Sequence, residues 1–215
     1  MAGFVFHVIN RSARRAPLFE SPADYDGFVK TLREAMDLRP IRLLNFCAMP
    51  NHFHLLAQPD TDAQLPRFMH WLTATHAMRW RKANDTVGEG AVYQGRYKAI
   101  PVHTEEHFLT VARYVERNPV RARIITKAED WRWCSLYHRE IVKDNFPLAD
   151  WPVAQPNDWI ACVNQPQTAG EIAAIRRSVN NGCALGNASW QEEVAKQLNI
   201  PGYFRSRGRP RRNGS

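Results

Sequence analysis

The chain has 215 residues, enough for one core domain with extensions or for two small domains. Hydrophobic residues make up 44%, and no apolar window approaches the ~18 residues that a membrane span needs. Four cysteines without a C-x-x-C pair argue against a zinc finger and favour a reduced, cytoplasmic protein. Lysine and arginine number 29 against 21 acidic residues, and this net charge of +8 favours a polyanionic partner over a merely basic surface.

The first predicted element is a strand over 3–10, which is rich in β-branched and aromatic residues. A helix begins at Ser21-Pro22, because serine caps a helix and proline suits its first position, and it ends at Pro40. Two strands, 41–48 and 52–58, then form a hairpin across a Pro-Asn turn.

The next elements complete a recognisable order. A long helix over 62–82 carries an apolar stripe, 96–102 is a fourth strand, and Thr104 begins another helix. The order β-α-β-β-α-β predicts an α+β fold with a ferredoxin-like antiparallel sheet. Both crossover helices then lie on one face of the sheet, and the last helix covers the open face.

The C-terminal part gives weaker signals. An aromatic helix packed on the core is expected at 131–138, and 144–167 suggests an extended connection. Two short helices are predicted at 171–180 and 189–198. The extension is therefore expected to be mostly helical.

Basic residues cluster at 10–15, 79–82, 117–123 and 205–212. Aromatic residues lie among these clusters along the chain, namely Trp80, Tyr93, Tyr97 and Tyr114. This mixture suits single-stranded nucleic acid, in which unpaired bases can stack on aromatic rings.

His52 and His54 lie at i and i+2 on a predicted strand, so both side chains leave the same face of the sheet. Phe53 between them points into the core. Two neighbouring imidazoles can serve as a pair of metal ligands, although for an isolated H-x-H two structural histidines bonded to carbonyls are the favoured explanation.

Tyr114 and Asn118 share a face of the last helix, at i and i+4. This face lies beside the core stripe and therefore looks along the sheet. A rim tyrosine and a cap residue before Pro119 are the simple alternatives. Neither alternative explains why Tyr114 and Asn118 should meet His52 and His54 on the one open face of the sheet.

The segments MPNHFHLLAQP (49–59) and RYVERNPVRARI (113–124) together resemble the HUH single-tyrosine transposase superfamily. Within it, the chain resembles the REP-associated tyrosine transposases. The segments FHVINRSARRAPLF and YQGRYKAIPV are similar to the same family, and the likeness covers roughly 3–140.

The resemblance implies a catalytic domain over 1–125, a helical extension packed on it over 126–204, and a basic disordered tail over 205–215. It implies that Tyr114 is the nucleophile. It also implies that the metal ligands are His52, His54 and Asn118. Other branches of the superfamily use glutamine at the position of Asn118.

The implied enzyme is a metal-dependent single-stranded DNA endonuclease and strand transferase that uses Mg²⁺ or Mn²⁺. The types of the three ligands, taken alone, would also suit Zn²⁺. It would cut beside repeated palindromic hairpins through a 5′-phosphotyrosine, in DNA transposition or REP element mobilisation. Its partner would be a DNA hairpin with a flanking recognition sequence. We expect a cytoplasmic, nucleoid-associated monomer.

Several basic side chains are candidate DNA contacts, each with a solvated surface charge as its alternative. The arginines of RGRP (207–210) suit an AT-rich minor groove or a non-specific phosphate-binding tail. His103 and His107 are expected to have capping or surface roles. The candidate contacts are Arg11, Arg14, Arg15, Lys98, Arg113, Arg117, Arg207 and Arg209.

Two rival functions belong to other classes. One is a domesticated protein that binds hairpin DNA and no longer moves it. The other is a plain metal-binding or RNA-binding ferredoxin-like domain, which leaves Tyr114 and Asn118 unexplained.

Overall fold

A computed structural model describes residues 2–198 and contains one four-stranded antiparallel sheet. The strands are β1 (Val5–Arg11), β2 (Arg42–Met49), β3 (His52–Gln58) and β4 (Lys98–Val102), in the order β2-β3-β1-β4. This is the ferredoxin-like order, so the predicted fold is confirmed.

Helices α1 (Pro22–Leu38) and α2 (Gln64–Ala83) pack against each other on one side of the sheet. The start of α1 is a capping box, in which the side chains of Ser21 and Asp24 each accept a hydrogen bond from the backbone N–H of the other. Phe28 and Phe53 pack with tilted rings whose centroids are 4.9 Å apart, which joins this helix layer to β3.

Helix α3 (Thr104–Glu116) contacts β2, β3 and β4 on the opposite side of the sheet, as predicted for the tyrosine-bearing helix. His103 caps its first turn by accepting a hydrogen bond from the Glu106 backbone N–H. After Arg117 the chain continues as the short helix α4 (Asn118–Arg121), because proline is tolerated in a first turn. The open face is therefore closed by α3 and α4.

The predicted helix at 131–138 is wrong over its first half. Cys134 pairs with Cys47 of β2, and the Trp133 carbonyl accepts a hydrogen bond from the Ala48 N–H. Since β2 is an edge strand with unpaired backbone groups, the turn at 131–134 bonds to it, and helical residues begin only at Ser135. A π-helical segment follows at Tyr137–Val142.

The predicted extended connection over 144–167 is also partly wrong, since it contains helix α5 (Trp159–Asn164), where the buried Trp159 packs on the core. The two predicted C-terminal helices are confirmed as α6 (Ala169–Asn181) and α7 (Ala188–Gln197). Short 3₁₀ turns lie at Ala13–Arg15 and Ala128–Asp130.

The predicted tail at 205–215, with Arg207 and Arg209, lies outside the described residues. Within the described part of the chain, no helix has both the length and the apolar character of a membrane span.

Candidate active site

The sheet presents the two histidines of β3 on the side covered by α3. In the register of the sheet, His54 lies opposite Ile9 of β1, and His52 lies opposite Arg11. The two imidazole rings are 4.8 Å apart, centroid to centroid. Phe53 is fully buried toward α1 and α2. The alternation of the strand therefore places both imidazoles on one surface.

Helices α3 and α4 bring Tyr114 and Asn118 to this surface. The Tyr114 ring lies perpendicular to the His54 ring, with centroids 6.0 Å apart. Both helical side chains and both histidines line one cavity of about 270 Å³. Tyr114 lines this cavity and is only 6% exposed, so little of its side chain reaches bulk solvent. All four residues singled out in the sequence thus meet in one place.

Each histidine of the pair has one nitrogen held and one free. His52 Nδ1 lies 2.7 Å from the Asn51 side-chain oxygen, which can only accept, so Nδ1 carries the proton and Nε2 keeps its lone pair. His54 Nδ1 lies 2.9 Å from Nε2 of His7. His54 Nε2 is buried and has no hydrogen-bond partner among residues 2–198.

His7 is a functional candidate that the sequence reasoning missed. It lies on β1, two residues before Ile9 and on the same face, and it is 1% exposed. Alternation along β1 could have placed His7 on the correct face. The register that sets it beside His54 requires the folded sheet.

Burial keeps all three imidazoles neutral. It is the largest cause that lowers the pKa of His7 to about 3 and that of His52 to about 4. It also lowers the pKa of His54 well below its ordinary value, with the neighbouring imidazoles and Arg121 adding to the effect. Neutral imidazoles keep the lone pairs that metal ligation needs.

Arg121 is the second residue that sequence reasoning missed. Its Nη2 donates to the Asn118 side-chain oxygen over 2.6 Å, and its guanidinium carbon lies 4.0 Å from the centre of the Tyr114 ring. Its spacing, three residues after Asn118 and seven after Tyr114, was a usable helical signal. The amide nitrogen of Asn118 is buried and unpartnered within the described chain.

The side chains in this cavity fit a divalent cation. Two neutral imidazoles with an available nitrogen, and the amide oxygen of Asn118, which also accepts a hydrogen bond from Arg121, would form a mixed nitrogen and oxygen donor set. Asn51 and His7 hold the outer ring nitrogens, as partners of metal-ligating histidines do. Among residues 2–198, no group of three His, Cys, Asp or Glu side chains could hold a metal, so the amide of Asn118 would have to supply the third ligand in this cavity.

The predicted DNA contacts on the first strand divide into two groups. Arg11 lines the cavity beside His52. Arg14 and Arg15 are exposed on the adjacent 3₁₀ turn and do not line it. Asn51 Nδ2 donates to the Arg15 carbonyl, so this basic turn nevertheless borders the site.

The predicted contacts flanking the tyrosine have structural partners. Arg113 forms an ion pair with Glu171 of α6 at 2.7 Å, and Arg117 donates to the Asn164 carbonyl of α5 at 3.0 Å. Lys98 donates to the carbonyl of Val179 in α6 at 2.8 Å. None of these three side chains lines the Tyr114 cavity. They hold the C-terminal extension against the core.

A ferredoxin-like sheet that carries a histidine pair opposite a helical tyrosine is the architecture of a single-tyrosine DNA strand transferase. The family model "Transposase IS200 like" matches residues 2–118. The chain therefore belongs to the IS200-like transposase family, which confirms the predicted class of enzyme, a tyrosine transposase.

Two relatives extend the comparison. A curated Haemophilus influenzae protein, named as a REP-associated tyrosine transposase, is 22% identical over 137 residues, which cover 60% of this chain and 77% of the relative. The solved structure of a REP-associated tyrosine transposase bound to a REP hairpin is similar, with a TM-score of 0.52 at 16% identity. That match covers 78% of this chain and 94% of the relative, and it shows a common fold.

Proposed function

We propose that this transposase cuts and rejoins single-stranded DNA beside repeated palindromic hairpins, with Tyr114 as the nucleophile. The observation that carries the proposal is the convergence in one cavity of Tyr114, Asn118 and the two neutral histidines of β3. The named likeness to REP-associated transposases supports the hairpin as substrate.

His52, His54 and Asn118 would hold a Mg²⁺ or Mn²⁺ ion. When bound, the ion supplies polarisation of a phosphate oxygen and orientation of the phosphorus for in-line attack. The unpartnered Nε2 of His54 supports this assignment, because a buried polar atom without a partner is unfavourable unless a ligand completes it.

The covalent step is carried by Tyr114. Its hydroxyl loses its proton, and the oxygen forms a bond to the phosphorus of the DNA backbone. The bond from phosphorus to the 3′ oxygen breaks, and that oxygen takes up a proton. The product is a 5′-phosphotyrosine with a free 3′-OH. Attack by this or another 3′-OH reverses the step and joins strands, so the link keeps the phosphoester energy and no nucleotide cofactor is required.

One chain supplies every residue of this proposed site, which supports action as a monomer. The aromatic and basic residues around the site favour a substrate with both a stem and an unpaired strand. We infer that the protein acts on DNA of this form in the cytoplasm, in association with the nucleoid.

The test is mass spectrometry of the protein after incubation with a labelled hairpin oligonucleotide that has a single-stranded extension, with Mn²⁺ or with a chelator. The native protein should gain one DNA adduct on Tyr114 only when Mn²⁺ is present. Tyr114→Phe should form none and still bind the hairpin, whereas the matched control Tyr97→Phe should form the adduct normally. An adduct on another residue would refute the assignment. Hairpin binding by native protein without any adduct would support the domesticated binder.

A further inference from the structure

Three arginines from separate elements converge on the Tyr114 cavity. Arg11 ends β1, Arg121 ends α4, and Arg176 lies in α6. No carboxylate of the described chain lines this cavity. None of the ion pairs among the described residues involves Arg11, Arg121 or Arg176. A cleft lined by one sign of charge concentrates ligands of the opposite sign.

Arg121 has a donor that the protein leaves unused. Nη2 is bonded to Asn118, but Nη1 is buried and has no partner in residues 2–198. A buried donor without an acceptor is unfavourable, and a phosphate oxygen is the acceptor that a guanidinium group binds best. A phosphate group of the DNA backbone would therefore complete the bonding of this arginine.

The basic surface continues beyond the cavity. An adjoining cavity of about 280 Å³ shares Arg11 and Asn180 with the first and adds Arg96 and Lys98. It too has no carboxylate among its described lining residues. The two cavities form one cleft between the sheet and α6, which we call the basic cleft. It provides cationic groups for more than one phosphate of a strand.

Helix α6 is fixed as one wall of the basic cleft. The ion pair between Arg113 and Glu171 joins it to α3, and the hydrogen bond from Lys98 to Val179 joins it to β4. Arg176 lies between these two attachment points along the helix. The Arg176 side chain is exposed. It forms no hydrogen bond or ion pair with the described residues that would compete with DNA.

We propose that α6 completes the DNA-binding cleft and that Arg176, with Arg121 and Arg11, binds backbone phosphates of the strand being cut. This rests on the proposed function of the cavity. Helix α6 lies beyond the residues 2–118 matched by the family model, so the proposal gives the C-terminal extension a direct part in substrate binding.

The experiment measures DNA binding without cleavage, in a Tyr114→Phe background with chelator. Affinity for a labelled hairpin with a single-stranded extension is followed over a range of salt concentrations. Arg176→Gln should weaken binding and reduce the slope of log K against log salt by about 0.7, the value for one phosphate contact on a single strand. Arg176→Lys should keep the slope, because the charge is retained.

Arg177→Gln is the matched control, since it removes the same charge from the next position of the same exposed helix and lines neither cavity. It should leave the slope unchanged. Equal slopes for Arg176→Gln and Arg177→Gln would overturn the proposal, as would a slope unchanged from the parent protein.

The adduct assay separates this proposal from the function on which it rests. If native protein forms no adduct but Arg176→Gln still lowers the slope, the basic cleft binds DNA and the proposed cleavage fails. If native protein forms the adduct and Arg176→Gln leaves the slope unchanged, cleavage stands and the role of Arg176 is refuted.

Discussion

The contact between His7 and His54 gives the most direct test of how the site is organised. With a cation on Nε2 of His54, its Nδ1 carries a proton that His7 accepts over 2.9 Å. His7→Phe keeps a ring of similar size but removes the acceptor. Because His54 is only 4% exposed, water has little access to take the place of the lost acceptor. The substitution should therefore weaken the metal site without emptying the space beside it.

The magnitude follows from the buried bond. Leaving one buried N–H without an acceptor costs about 1–3 kcal/mol. Loss of an outer partner of a metal-ligating histidine typically lowers metal affinity by about 10–100-fold, which is about 1.4–2.8 kcal/mol. The two estimates agree because both describe the same N–H, which must be held for His54 to present Nε2.

The assay is a Mn²⁺ titration of DNA cleavage. For His7→Phe the Mn²⁺ concentration at half-maximal cleavage should rise by about 10–100-fold, with most of the rate recovered at saturating Mn²⁺. His76→Phe is the matched control. His76 is equally buried and bonded to Tyr93 at 2.6 Å, but it lies in α2 on the other side of the sheet. An unchanged half-saturation point for His7→Phe would show that His7 only fills space.

Two further predictions concern stability and substrate form. Glu116 is fully buried and accepts three hydrogen bonds, from Asn45, Ser135 and Trp159. Glu116→Ala leaves these donors without an acceptor, at about 1–3 kcal/mol each, so it should lower the free energy of unfolding in urea by about 3 kcal/mol or more. The control Glu34→Ala, at a surface ion pair, should cost at most about 1 kcal/mol, and equal losses would contradict the argument. Annealing a complement to the single-stranded extension should suppress cleavage by roughly 5–150-fold per stacked base lost, and undiminished cleavage of the fully duplex oligonucleotide would reject the single-strand mechanism.

Local periodicity was enough to predict that His52 and His54 share one face of a strand and that Tyr114 and Asn118 share one face of a helix. Covalent geometry sends the side chains of His52 and His54 to one face of a strand, and it sends Tyr114 and Asn118 to one face of a helix. The order of elements then left one open face of the sheet, where the pairs could meet. For the same reason the four strands and the principal helices were predictable.

Sequence periodicity did not determine contacts between distant segments. The segment 131–134 favours a helix locally, but it forms a turn that bonds to the free edge of β2. Arg113 and Arg117 look like partners of the tyrosine along the chain, yet Glu171 and the Asn164 carbonyl bind them instead.

The groups that contact these four residues from other elements were likewise decided only by tertiary structure. The register of β1 against β3 sets His7 beside His54, and the docking of α6 brings Arg176 to the cavity. A side chain's direction along its own strand or helix is fixed by local backbone geometry. Which distant group it meets depends on how whole elements pack, and that is settled only when the fold has formed.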